Sequence, residues 1–382
     1  MTIFLSFLQS PYQYPIPAYK FWEYYIKNGI EEAGHQWSEC PDVDWALGLV
    51  SNDKNSIANW KHKAWSKTVA WLKKNPVDLF LSYLYPHMID MAAIEEIKRL
   101  GIPCVNFYCD HLRDFKKLPV EFSVFSLNWV PEYKAISLYQ KAGYPYLNLA
   151  MPIWVEPRYR VLQSEKNKQV TFIGSKDIQR QYFLEQIIQQ SPDIPLAVYG
   201  NGWGENDAQK SVKGDYTIDK KLAHQFKFLT KQGIIPYFRK FWHQRYSTPI
   251  SAVLKSKIYG VPDFEQYNEL TSGSMIAIGI NRYPSFHFPF SKPDSYSRLR
   301  DIEAPMLGAC FLTEWTDGID ELYINGVEIE TFKTAEEFIE KVRKLQADDQ
   351  KRKSLKANGQ KRALETHSIP FSLNRLFCAL GL

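Results

Sequence analysis

The chain has 382 residues, 45% of them hydrophobic, with a formal net charge of +5. That length exceeds one ordinary core and predicts two domains of middling size, while the hydrophobic share excludes a disordered chain. The charge is too small to argue for nucleic acid.

The amino terminus, "MTIFLSFLQSPYQYP", has a short apolar run and no basic leader, so it reads as a first strand at 3–7 and not as a signal peptide. A helix over 17–34 stops at Gly34. "WALGLV" (45–50) reads as a second strand, and 58–74 as a helix with Trp60, Trp65 and Trp71 near helical spacing. Strand 77–84, the helix "MIDMAAIEEIKRLG", the buried strand "IPCVNFYCD", strand 123–128, the helix "PEYKAISLYQKAG" and "YLNLAM" complete the first half. Short continuous apolar strands between helices imply a parallel sheet covered on both faces.

After "PIWVEPRYR" the same grammar restarts. "QVTFIGS" (169–175) is a strand ending in Gly-Ser, followed by a helix, and "PLAVYGNGWG" is a strand ending in a glycine-rich turn. "MIAIGINR" (275–282), a helix around 294–307 and "ACFLTE" follow. "TAEEFIEKVRKLQ" is an amphipathic helix with a capping box, Thr334 to Glu337, and expected pairs Glu337–Lys341 and Glu340–Lys344. The expectation is two Rossmann-like, doubly wound α/β domains, 1–158 and 159–367, with the last helix (368–382) packing back on the first. Such sheets bind ligands beyond the carboxyl ends of their strands, so the chemistry is expected in a cleft between the domains.

Several features leave more than one reading. Aromatic residues make up 15% of the chain, which fits sugar-stacking surfaces, a membrane-interface belt or an aromatic core. Cys40, Cys104, Cys109, Cys310 and Cys378 form no CxxC pair, and reduced thiols in a cytoplasmic protein fit best. No run approaches a membrane span. The stretch 220–249, within an insertion near 205–250, interleaves seven basic residues with aromatics and contains no acid. It suits an anionic membrane surface through 220–246, a nucleic-acid patch or a helical hairpin packed on its own domain. Asp42 and Asp44 precede "WALGLV" and read as strand-entry residues, so no metal is expected.

In the second half, "FIGS", "VYGNGW", "IGINR", "RDIEAPMLGACFLTEW", "DGIDELY" and "NGVEI" occur in this order. The set resembles the nucleotide-sugar domain of GT-B glycosyltransferases, of the group 1 type, and is most similar to the CgeB-like spore-maturation proteins over roughly 165–370. The resemblance implies a glycosyltransferase with a nucleotide-diphosphate sugar as donor, a glycan or lipid-linked acceptor and no metal cofactor. It also implies that Glu303 holds the ribose hydroxyls, within a matching set Arg300, Glu303, Ala304 and Gly308. Arg300 either screens the diphosphate or orients Glu303, and Gly308 leaves room for base or ribose.

Gly174, Ser175, Tyr199, Gly200 and Gly202 let backbone approach a diphosphate or simply make tight turns. Asp317, Gly318 and Glu321 lie where the family folds a loop over the donor sugar; a surface turn explains them nearly as well. The family's upstream glutamate is replaced by Ser295. Arg282, Lys176 and Arg180 are candidate counterions for the leaving diphosphate, Arg282 first because it leaves an apolar strand. On the acceptor side, Asp110 and His111 follow a buried strand, where either one takes a proton from an acceptor hydroxyl or the pair caps a turn. A sugar-nucleotide epimerase or hydrolase, and a binding protein without turnover, are the alternatives.

Overall fold

The computed structural model describes residues 1–14, 19–51, 53–204, 237–240, 242, 249–282, 295–297 and 299–382. The chain divides into two compact units, Met1–Glu156 with Arg362–Leu382, and Pro157–Lys361.

The first unit is built on a six-stranded sheet in the order β2-β1-β3-β4-β5-β6, every pair parallel. The strands are β1 (Thr2–Ser6), β2 (Gln36–Ser38), β3 (Leu79–Ser82), β4 (Cys104–Phe107), β5 (Leu127–Val130) and β6 (Tyr146–Asn148). Central strands β3, β4 and β5 are buried at every position, as a sheet covered on both faces requires. The terminal helix Ile369–Leu380 belongs to this unit. It lies on the helix Tyr19–Glu32, where an added Cβ on Gly29 would stand 2.5 Å from Ile369.

Two readings of this half are corrected. "WALGLV" is a helix, Trp45–Val50, because the Asp44 carboxylate accepts the Leu47 N–H at 2.9 Å and caps it. Gly48 then lets the Trp60 ring approach its backbone. Asp44 is thus a helix cap that also accepts from the Tyr14 hydroxyl. The second strand is instead Gln36–Ser38, and the expected strand at 123–128 begins only at Leu127, after a 3-10 turn.

The second unit repeats the architecture with β7 (Val170–Ile173), β8 (Leu196–Tyr199), β9 (Ile258–Gly260), β10 (Ile276–Gly279), β11 (Phe311–Glu314) and β12 (Glu330–Phe332). The order is β12-β11-β10-β7-β8-β9, all parallel. Its core packs Phe172, Phe183, Leu312, Phe332 and Phe338. The chain leaves β7 toward β8 on one side and returns to β10 on the other, so the topological switch lies between β7 and β10. In the helix Ala335–Ala347, Thr334 caps as expected and Glu340 pairs with Lys344 at 2.6 Å. Lys341, however, turns to Glu330 on β12 at 2.5 Å, and the Glu337 carboxylate accepts the Lys333 N–H.

Candidate active site

Arg282 follows β10 and Ser175 follows β7, so both lie at the carboxyl end of the second sheet, at its switch point. The helix Leu299–Met306 starts at this same end and runs back along the sheet, which puts Arg300 and Glu303 in its first turns. Glu303 is 5% exposed. Its carboxylate accepts a hydrogen bond from the Tyr267 hydroxyl, and the Arg300 guanidinium lies over the Tyr267 ring at 5.9 Å. Burial, with Glu303 beside it, raises the Tyr267 hydroxyl well above its ordinary value, so it stays a donor. Tyr267 comes from the helix Phe264–Gly273, which starts with a full capping box between Asp263 and Gln266. Sequence reasoning missed both this helix and its tyrosine, although Asp-x-x-Gln ahead of the helix was a usable start signal.

Around this cluster the strand ends are tied by a buried polar network. The Asn281 amide donates to Asp301 at 2.9 Å and to Thr313 at 3.1 Å, and Thr313 donates to Asp301 at 2.9 Å. Asp301 and Thr313 are fully buried, so the network fixes the helix Leu299–Met306 against β10 and β11. Arg282 is 9% exposed and pairs with Glu314, the last residue of β11, at 2.7 Å, while its guanidinium covers the Phe183 ring at 4.6 Å. Burial raises the Glu314 carboxyl, and Arg282 only partly offsets this. Arg282 is therefore no solvated surface charge.

The glycine turns are tighter than their sequence suggested. Gly174 N–H donates to Tyr199 and Gly200 N–H to Gly260, so neither is available to a diphosphate. Gly200, at φ +130°, has no room for a Cβ because the Gly174 carbonyl would be 2.4 Å away. Ser175 and Gly202 remain exposed on this rim, next to Lys176, whose ammonium is lowered by burial. Arg180 is turned back on Asp177 and the Ser175 carbonyl. Gly308 ends its helix at φ +72°, and a Cβ there would meet Leu162 at 2.9 Å and Gln360 at 3.1 Å, so the position has no room for a side chain. Tyr199 stacks on Tyr259, with ring centroids 5.2 Å apart. Asp317 and Gly318, the latter at φ +87°, lead into the short helix Ile319–Leu322, on which Glu321 is exposed.

In the first unit His111 is corrected. It is fully buried, with Nδ1 3.1 Å from Glu132 and Nε2 2.8 Å from the Tyr139 hydroxyl, so both ring nitrogens are engaged in the core. Asp110 beside it is only half buried and starts the helix His111–Asp114. The loop after β1 holds Leu8 at φ +59°, a rare conformation for a bulky residue, with the Gln9 side chain bonded back to Phe7 and Leu5. Of the basic-aromatic stretch, 237–240, 242 and 249 are described; Phe238 and Trp242 are exposed there, and the rest of the reading at 220–249 lies outside the described residues. Among the described residues no helix is long and apolar enough to cross a membrane, and no group of three or more His, Cys, Asp or Glu forms a metal site.

Residues 234–373 match the family model described as glycosyl transferase-like. No curated protein matches the chain by sequence. Among solved structures, sucrose-phosphate synthase from Thermosynechococcus elongatus superposes with a TM-score of 0.60 at 12% identity, covering 99% of this chain and 98% of that one. HepE of Anabaena, in complex with UDP and glucose, gives 0.59 at 12% identity over 100% and 99%. AviGT4, a glycosyltransferase of avilamycin A biosynthesis, gives 0.54 at 13% identity over 99% and 96%. The chain has the GT-B fold of glycosyltransferases. In GT-B terms, the Glu303–Tyr267–Arg300 cluster and the Arg282–Glu314 pair both stand on the second Rossmann-like domain.

Proposed function

We propose that the protein transfers a glycosyl group from a nucleotide-diphosphate sugar, bound at the carboxyl ends of β7 and β10, to an acceptor hydroxyl. The observation that supports this most is the Glu303 carboxylate, fixed by Tyr267 and flanked by Arg300 at the topological switch of the second sheet. A carboxylate whose orientation is set by a neighbouring donor can accept from two adjacent ribose hydroxyls. The diphosphate then meets the exposed Ser175–Gly202 rim and the start of the helix Leu299–Met306, where amide dipoles favour anions. As the glycosidic bond to phosphate breaks, negative charge grows on the leaving group, and the Arg282 guanidinium, held by Glu314, is the fixed cation that stabilises it. UDP-sugars are the first donors to test, because HepE was captured with UDP-glucose.

Asp110 is our candidate for the base that receives the acceptor proton, since His111 is locked in the core. We place the acceptor as a glycan, carried on a lipid if the 220–246 stretch meets an anionic membrane surface. A second reading, a sugar-nucleotide-binding protein without turnover, is favoured by one observation: Ser295, bridged to Arg282 through its backbone, stands where related enzymes hold a second carboxylate.

The test is thermal stabilisation by UDP, GDP, dTDP, CDP and their sugars, in magnesium or EDTA, on wild type and Glu303→Ala. One nucleotide class is expected to stabilise wild type, and the variant should lose about 2–3 kcal/mol of donor binding. No stabilisation by any nucleotide rejects the donor site; binding without transfer or donor hydrolysis selects the second reading.

A further inference from the structure

On the flank of the second unit lies a cavity of about 410 Å3, a size usual for small-ligand sites, walled by Lys166, Asn167, Tyr199, Tyr259, Gln266 and Glu269. Val261, Pro262 and Leu270 complete the wall; of the donor candidates named above only Tyr199 lines it, and Arg282, Arg300 and Glu303 do not. Successive residues of a helix turn by about 100°, so Gln266, Glu269 and Leu270 share the stripe of the helix Phe264–Gly273 that faces the cavity. Tyr267, on the neighbouring stripe, reaches Glu303 instead.

The walls combine an aromatic platform with oriented polar groups. The Tyr199 and Tyr259 rings stack at 5.2 Å with 20° between their planes, and Tyr259 is 56% exposed, so a broad aromatic surface stays open. An aromatic face is electron-rich and attracts the polarised C–H groups of a sugar ring. Asn167 Oδ1 accepts the Gln169 N–H at 2.9 Å, and Gln266 Oε1 accepts the Asp263 N–H at 3.2 Å. Both amides are thereby fixed with their NH2 groups left as donors. Lys166 and Glu269, 3.5 Å apart and half exposed, add a second donor and an acceptor. A wholly apolar ligand would strand these groups. A diphosphate would find a single lysine, already paired. Ring faces need the tyrosines and equatorial hydroxyls need the rim.

We propose that this cavity is a second carbohydrate site, in which one ring of a neutral glycan stacks on Tyr259 while Asn167, Gln266, Glu269 and Lys166 bind its hydroxyls. It does not depend on the donor reading.

The experiment is saturation-transfer NMR of the intact chain with maltohexaose, cellohexaose and chitohexaose, run on wild type, Tyr259→Ala and Tyr259→Phe, with UDP binding measured in parallel. At least one oligosaccharide is expected to receive saturation from wild type and from Tyr259→Phe. Its affinity should fall by about fivefold in Tyr259→Ala, with UDP behaving alike in all three. No transfer to any of the three sugars, or transfer that Tyr259→Ala leaves unchanged, overturns the site. Tyr259 is exposed on an edge strand, so folding is preserved; Glu269→Ala, equally exposed, provides an independent variant that should also weaken binding. A UDP response without glycan binding rejects this site and spares the donor site, and the reverse result does the opposite.

Discussion

The Glu303 carboxylate takes its hydrogen bond from Tyr267, 36 positions earlier and on a different helix. Removing only that hydroxyl leaves a buried carboxylate short of one donor and free to turn away from a ribose. Tyr267→Phe should therefore weaken nucleotide binding by about tenfold, the value of one hydrogen bond to a charged group, and also destabilise the folded chain by about 1–3 kcal/mol; calorimetric titration with the selected nucleotide, at a temperature where the variant is folded, measures the first. An unchanged dissociation constant would make Tyr267 a packing residue only. The spacing of Arg300 and Glu303 was legible in the sequence because one helix carries both, a turn apart. Their third partner was not, because nothing in spacing ties position 267 to 303. His111 shows the opposite failure: an acid–imidazole dipeptide after a buried strand looked like chemistry, and Glu132 and Tyr139 from later in the chain absorb it.

At the scale of elements, runs of apolar residues between helical patterns located the central strands, since a strand buried on both faces has no polar positions to hide it. Of the four three-residue edge strands, β6 was read within "YLNLAM", while β2, β9 and β12 have no such run and were not read. "WALGLV" failed for the complementary reason: six apolar residues fit a strand or a buried helix equally, and only the Asp44 cap decides. The carboxyl end of β11 supports a pH prediction. Burial holds the Glu314 carboxyl above its ordinary 4.5, so the folded chain binds that proton more tightly than the unfolded chain. Stability then falls as pH rises from the ordinary value through the raised one. Glu314→Gln cannot titrate, so the melting temperature of wild type minus that of the variant should decrease as pH rises from about 4.5. A constant or growing difference would show that Arg282 dominates the balance at this strand end.

For the whole molecule, the two sheets were legible in the sequence and the pairing of distant charges across strand ends was not. The first unit is completed by Arg362–Leu382: Ile369, Leu373 and Leu376 are fully buried, and Ile369 fills the notch at Gly29. A glycine inside an exposed helix gains stability when changed to alanine. Here Gly29→Ala is expected to cost about 1–3 kcal/mol, because the new methyl collides with Ile369. Calorimetry should show the loss while nucleotide stabilisation of the second unit persists; a rise in melting temperature would deny the contact. The same notch sets a timetable for synthesis. A ribosome finishes the strands β1–β6 early, yet Pro157–Lys361 must still be made, which takes about 10–40 s at ordinary elongation rates. Throughout that interval the Gly29 face of the amino-terminal unit lacks Ile369, and it is an apolar opening that a chaperone can hold until the helix Ile369–Leu380 has been made.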